Sequence, residues 1–278
     1  MRVFVTGAGG QIGNELQAVF ASDDVTAATH ADLEITDRDA VHAAINAAQP
    51  DVVVHAAAWT AVDDCESDPE RALTINGVGT RHVTEAAASA GAHLTYLSTD
   101  YVFDGRKPDP YIETDTTNPL SVYGSSKLAG EHEVAAYDQS LVVRVSWVCG
   151  RHGRNMVKTI LELARTHDRL RFVADQIGHP TFADDAATMV HRLVSDRRTG
   201  TYHVTNQGAV SWFEFAQAVL DSAGLDPTRV DPITTAEMPR PAPRPANSVL
   251  ENAALRSAGL PLLSHFREPL DRLVAELT

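Results

Sequence analysis

Tyr123 and Lys127 stand four positions apart in Tyr-Gly-Ser-Ser-Lys, and upstream the apolar run HLTYLSTDYVFDG carries a hydroxyl at Thr99. Residues four apart on a helix share one face, a turn from each other, so an ammonium can lie beside a phenol. A tyrosine of ordinary pKa near ~10 then becomes a proton donor whose phenolate is stabilised by the cation and the neighbouring hydroxyl. Taken alone, the spacing also fits an amphipathic helix with one Tyr and one Lys whose stem lies along apolar surface.

Those side chains need a frame, and the opening segment MRVFVTGAGGQIGNEL supplies it. Val3–Thr6 is a short apolar β-type run, Gly7 to Gly13 a glycine-rich turn, and a helix follows. Gly7, Gly10 and Gly13 are evenly spaced. Such a turn sets bare backbone N–H groups and a helix N-terminus where a pyrophosphate can dock, and only a residue without Cβ allows that approach. A strand closed by the turn and a helix opened by it is the context a dinucleotide site requires.

Strand-like and helix-like stretches alternate as far as Gly150. The runs Val3–Thr6, Val25–Thr29, Asp51–His55, Ala92–Ser98 and Ser140–Val145 read as strands buried on both faces. Helices are expected near Gln11–Phe20, Asp37–Ala48, Pro69–Ala90 and Ser121–Tyr137, the third opening on Asp68-Pro69-Glu70. The fold class is α/β: a Rossmann-like, doubly wound parallel sheet with a small C-terminal substrate-binding lobe. Residues 1–150 form the dinucleotide-binding domain with the Thr, Tyr and Lys, and residues 151–278 mostly the lobe, interleaved with the core. In the lobe, Ser211-Trp-Phe-Glu214 is a capping box. Pro239, Pro241, Pro243 and Pro245 forbid helix and make a stiff strap. That strap either lies over a substrate, with Asn155 and Lys158 supplying contacts and the lysine a charge for a diphosphate, or packs the C-terminal helices onto the core.

Composition narrows the function classes. A net charge of −14 over 278 residues argues against nucleic acid as a partner. No apolar stretch is long enough for a membrane span, and no signal peptide is expected ahead of the first strand. The two cysteines, Cys65 and Cys149, lie far apart without metal-ligand spacing, which points to a reducing cytoplasm. Lys107, Lys127 and Lys158 are the only lysines.

The glycine spacing, the hydroxyl at a strand end and the Tyr–Lys pair together resemble the short-chain dehydrogenase/reductase superfamily, in its sugar-nucleotide branch. The strings LSTDYVFDG, PLSVYGSSKLAGE, DQIGHPT and RPANSVL, with HAAAWTAVDDCESDPERALTIN, resemble the family of dTDP-4-dehydrorhamnose reductases along essentially the whole chain. That resemblance implies reduction of a dTDP-4-keto sugar, with Tyr123 as proton donor and Lys127 holding the nicotinamide ribose and the tyrosinate. Thr99 would bond the sugar 4-oxygen, Asp100 would lie beside the substrate, and Trp147 would stack or pack on the sugar. Gly7, Gly10, Gln11 and Ile12 would follow the pyrophosphate, Asp32 and Leu33 flank the adenine, and Ala56, Ala57, Ala58 and Thr60 line the path to the nicotinamide.

Some members of the family bind Mg2+ through glutamates at a dimer interface. Glu15 and Glu276 match those positions while Asp184 stands where Glu would serve, so no metal is assigned and Glu15 is the one possible ligand. The chain is expected to be a monomer or homodimer. The second strand ends Ala27-Ala28-Thr29-His30 without an acid to hold a ribose 2′-hydroxyl and without an Arg, so NADPH is expected to be somewhat preferred, with NADH also accepted. The alternatives are a reductase giving the 4-epimeric sugar, an epimerase or dehydratase, and a non-catalytic regulatory subunit. The intact Thr99, Tyr123 and Lys127 set speaks against the last. Tyr101, in place of a Glu after Asp100, speaks against a dehydratase.

Overall fold

The computed structural model describes all residues, 1–278. Strands β1 (Arg2–Thr6), β2 (Asp24–Ala28), β3 (Val52–His55), β4 (His93–Thr99) and β5 (Ser140–Val145) join the strand Gly200–His203 in one parallel sheet. Its order is Gly200–His203, β5, β4, β3, β1, β2. The chain moves outward from β1 to β2 and then returns to β1's other side at β3. This reversal opens a crevice beyond the carboxyl ends of β1 and β3, where doubly wound sheets bind their ligands.

Alternation along the strands builds the two faces. Val3 and Val5 point into a cluster with Leu16, Leu193 and Val194, under α1 (Gln11–Val19) and α8 (Ala183–Ser195). Phe4 points the other way, to Ile45, Val83 and Tyr96 under α2 (Arg38–Ala48) and α5 (Thr80–Ala90). Each fully buried aliphatic side chain there contributes about 1.5–3 kcal/mol. A third cluster, including Val157, Ile160, Phe215 and Leu270, joins α7 (Met156–Thr166), α9 (Trp212–Ser222) and α11 (Arg267–Leu277). Residues beyond 150 therefore feed both the sheet core and this separate cluster.

Two local readings are corrected. β2 is not buried on both faces: only Ala28 is buried, because the strand pairs with β1 alone at the sheet edge. Pro69–Ala90 is not one regular helix. It divides into α4 (Pro69–Leu73), a π-helical segment Thr74–Gly79, and α5. The wide segment holds Asn76, whose side chain accepts from Trp59 N at 2.8 Å and donates to the Ser126 hydroxyl at 2.9 Å. A polar side chain needed inward for these bonds is a common setting for such a bulge.

Candidate active site

Two adjoining cavities form a groove across the carboxyl edge of the sheet. One of about 630 Å³ reaches Leu33, Ala57 and Trp59. The other, about 570 Å³, reaches Thr99, Tyr123 and Trp147. Gly9, Gly10, Ala56 and Ala58 line both and mark the junction.

The glycine turn sits at that junction. Gly7 has φ +67°, and a Cβ there would come within 2.5 Å of Ala57 N. A Cβ on Gly13 would stand 2.1 Å from the Gly7 carbonyl, so the turn, α1 and the β3 end approach as only glycine permits. The N-cap of α1 is Gly10, with no side-chain cap and no acid in the first turn, whereas Asp37 caps α2 and Asn155 caps α7. The first-turn donors and the positive end of α1 are thus left for an anion, which fits a dinucleotide pyrophosphate. Gln11 and Ile12 line the groove beside them.

The catalytic side chains come from β4 and from α6 (Val122–Ala135). α6 starts where the Ser121 hydroxyl accepts from Gly124 N at 3.1 Å, which places Tyr123 in the first turn and Lys127 one turn on. Gly124 is required by closeness, since a Cβ would lie 2.2 Å from the Tyr101 carbonyl. Thr99 ends β4, and its hydroxyl donates to Asp100 Oδ1 at 3.0 Å and accepts from Tyr101 N at 3.2 Å. Tyr123 is buried, and desolvation raises its pKa well above the ordinary phenol value, with the Thr99 hydroxyl pulling the other way. Lys127 is 2% exposed. Its Nζ donates to the Leu97 carbonyl at 2.8 Å and sits 4.0 Å from the centre of the Tyr96 ring. Burial pulls it down to about 7, against the opposing pull of Glu131. Below that ring, His55 bridges Thr6 at 2.7 Å and Thr80 at 3.1 Å and is held neutral by burial. The floor under Lys127 is therefore fixed and uncharged.

The opposite wall is aromatic. Trp147 stacks on Trp212 with ring centroids 3.5 Å apart and planes within 8°. Its backbone lies at φ +46°, a left-handed conformation that bulky residues rarely adopt, and Gly178 leaves room for the ring. Asp100 is buried, and Oδ2 carries no hydrogen bond. Burial pushes it up to about 6, with the Ser248 and Thr99 hydroxyls opposing.

The groove includes most residues singled out from the sequence: Gly7, Gly10, Leu33, the Ala56–Ala58 turn, Thr60, Asp100 and Trp147 besides the catalytic three. It leaves out three. Asp32 lies outside the lining, its carboxylate accepting from Thr29 N at 2.9 Å and Thr29 Oγ1 at 2.6 Å. Asn155 caps α7 and donates to Gln11 Oε1 at 3.0 Å, so it braces a groove residue and does not reach the groove. Lys158 donates to the carbonyls of Arg151 at 2.6 Å and Gly153 at 2.9 Å. No strap residue lines the groove either; Arg240 and Arg244 pair with Asp63, and Ser248 reaches Asp100.

Trp212 and Arg154 do line it, and were not singled out: the first looked like part of a cap, the second like a loop cation. Glu15 receives both donors of the Arg151 guanidinium, at 2.9 and 3.1 Å, while Arg272 pairs with Asp184 and Asp185. Glu15 and Asp184 are thus each already paired with a guanidinium, while Glu276 lines the same recess without such a partner.

The family model described as RmlD substrate binding domain matches residues 1–278. The chain belongs to this family. A spore coat polysaccharide biosynthesis protein, SpsK, of Bacillus subtilis (strain 168) is 42% identical over 278 residues, covering 99% of this chain and 97% of the relative. A dTDP-4-dehydrorhamnose reductase of Sinorhizobium fredii is 42% identical, with 99% of this chain and 97% of the relative covered. The crystal structure of a dTDP-4-dehydrorhamnose reductase from Bacillus anthracis in complex with NADP superposes with a TM-score of 0.96 at 37% identity, over 99% of each chain. No helix of this family member is long and apolar enough to cross a membrane.

Proposed function

We propose that this chain is an NAD(P)H-dependent reductase that converts the 4-keto group of dTDP-4-dehydro-L-rhamnose to the alcohol of dTDP-L-rhamnose. The carrying observation is the convergence of Thr99, Tyr123 and Lys127 on one end of a groove whose middle is an uncapped, glycine-built helix N-terminus. The full-length match to reductases of that name supports the substrate class.

The roles follow from position. α1's first turn and Gly7, Gly10, Gln11 and Ile12 hold the pyrophosphate, Leu33 and the Ala56–Ala58 turn hold the adenosine and the path onward, and Thr60 lies toward the nicotinamide. Bound there, the dinucleotide supplies the hydride to C4. Tyr123 is protonated throughout the neutral range and gives its hydroxyl proton to the developing C4 alkoxide. Lys127 stabilises the phenolate left behind and orients the nicotinamide ribose, while Thr99 donates to the sugar oxygen where charge develops. Trp147, backed by Trp212, presents an apolar face to the deoxysugar, and Asp100 lies beside the substrate. From residues 151–278, Gly153, Arg154 and Trp212 join this substrate wall, with Asn155 and Lys158 holding the loop that bears Arg154.

Oxidation of NADPH by the purified protein, with enzymatically generated 4-keto-6-deoxy sugar nucleotide, tests the proposal. NMR of the product should show dTDP-L-rhamnose. The 4-epimer would correct the stereochemistry, and absence of turnover with either dinucleotide would reject the reductase.

A further inference from the structure

Arg71 lies in the last turn of α4, at the far end of the groove from Tyr123, and its guanidinium has no hydrogen-bond or ion-pair partner in the fold. It lies over the Trp59 indole, 4.5 Å from the ring centroid. The same side chain lines both the 630 Å³ cavity and a further recess of about 440 Å³ that opens from it past His30 and Glu34. We infer that Arg71 is a clamp for the 2′-phosphate of the adenosine ribose, and that through it NADPH is taken in preference to NADH. The inference rests on the dinucleotide reading of the groove and concerns which dinucleotide enters it.

The surroundings select for a phosphate in three ways. First, β2 ends at Ala28, and the acid nearest the strand end, Asp32, is engaged by Thr29 outside the lining. The strand end itself therefore offers no free carboxylate to a 2′-hydroxyl, the contact that favours NADH, and Glu34, which does line the cavity, is engaged by the Thr36 N–H and hydroxyl. Second, Arg71 is the permanently charged cation lining the adenosine end. Third, stacking on Trp59 limits the guanidinium's freedom while its N–H edge stays open, and that planar fork suits bidentate contact with phosphate oxygens. Acids temper the effect. Glu34, 3.7 Å from His30, and Asp68 and Glu70 in the outer recess place negative charge nearby. A preference is expected, and exclusion of NADH is not. The strand end alone, with no Arg, gave no sign of this clamp; the fold brings it from α4.

Equilibrium binding of NADP+ and NAD+, followed by tryptophan fluorescence or calorimetry, tests this without any sugar nucleotide. Arg71→Ala should weaken NADP+ about ten- to hundredfold and leave NAD+ within about twofold of wild type. Arg71→Lys should recover part of the loss, a point charge replacing the fork. Unchanged NADP+ affinity in Arg71→Ala would overturn the clamp. So would an equal loss for both dinucleotides, which would show a role in holding adenosine or the fold. Unaltered NAD+ binding doubles as the control for folding. A wild-type protein that binds neither dinucleotide would overturn the reductase proposal together with the clamp.

Discussion

The Nζ of Lys127 donates to the main-chain carbonyl of Leu97 at 2.8 Å, which ties the catalytic helix to the strand that ends on Thr99. The ammonium is thus fixed by β4 and by the Tyr96 ring beneath it, with no carboxylate within salt-bridge reach. Burial without a counter-ion is why its pKa falls from 10.5 to about 7.

That shift gives the enzyme a pH dependence with a definite sign. The free enzyme loses the Lys127 charge as pH rises through about 7, and with it the stabilisation of the tyrosinate. kcat/KM for the sugar nucleotide should therefore decline on the alkaline side of about pH 7, and Lys127→Met should be slow with that limb flattened. Stability moves the opposite way. Between about 7 and 10.5 the unfolded chain keeps a proton on Lys127 that the folded chain has released, so this residue's contribution rises with pH across that window. A kcat/KM profile flat from pH 6 to 9 would contradict the assignment.

Asp100 should titrate against folding. Its pKa rises from 3.8 to about 6, so the folded state holds a proton the unfolded state has lost, and stability falls as pH rises through that interval. The penalty at neutral pH is about 3 kcal/mol for a shift of that size. Asp100→Asn should raise the melting temperature at pH 7.5 and leave it near wild type at pH 4, as thermal denaturation at the two pH values will show. An equal change at both would mean that packing, and not charge, sets the effect.

Asp63 pins the proline strap by accepting from Arg240 at 2.6 Å, from Arg244, and from Ala242 N at 3.2 Å. The arginines hold its carboxyl well below the usual carboxylate range. Since the strap continues to Ser248 beside Asp100, Asp63→Ala should raise the KM for sugar nucleotide and leave that for NADPH unchanged. The lost charge-assisted bonds should lower stability by about 1–3 kcal/mol. A rise in both KM values would show that the strap supports the whole groove.

What the sequence disclosed was what local spacing encodes. The glycine turn, the Ser121 start of α6 and the Tyr123–Lys127 turn are short-range, and their chemistry survives without knowledge of neighbours. The apolar look of Val25–Thr29 misled because an edge strand and a central strand share β-type composition, and only the sheet order separates them. Asp32 and Lys158 had suitable charge, but Thr29 and the carbonyls of Arg151 and Gly153 hold them elsewhere. Trp212, Arg154 and Arg71 reach the groove only through packing of distant segments, for which no spacing rule exists.

The central claim is that Tyr123 is the proton donor of a 4-keto sugar reduction, and Tyr123→Phe measures it most directly. The substitution removes one oxygen from a buried ring and leaves its packing against Tyr101 in place. With the 4-keto sugar nucleotide and NADPH, kcat should fall by roughly 10²–10⁴, the usual size of a general-acid contribution, while NADP+ affinity stays unchanged. Turnover close to wild type in that variant would contradict the account.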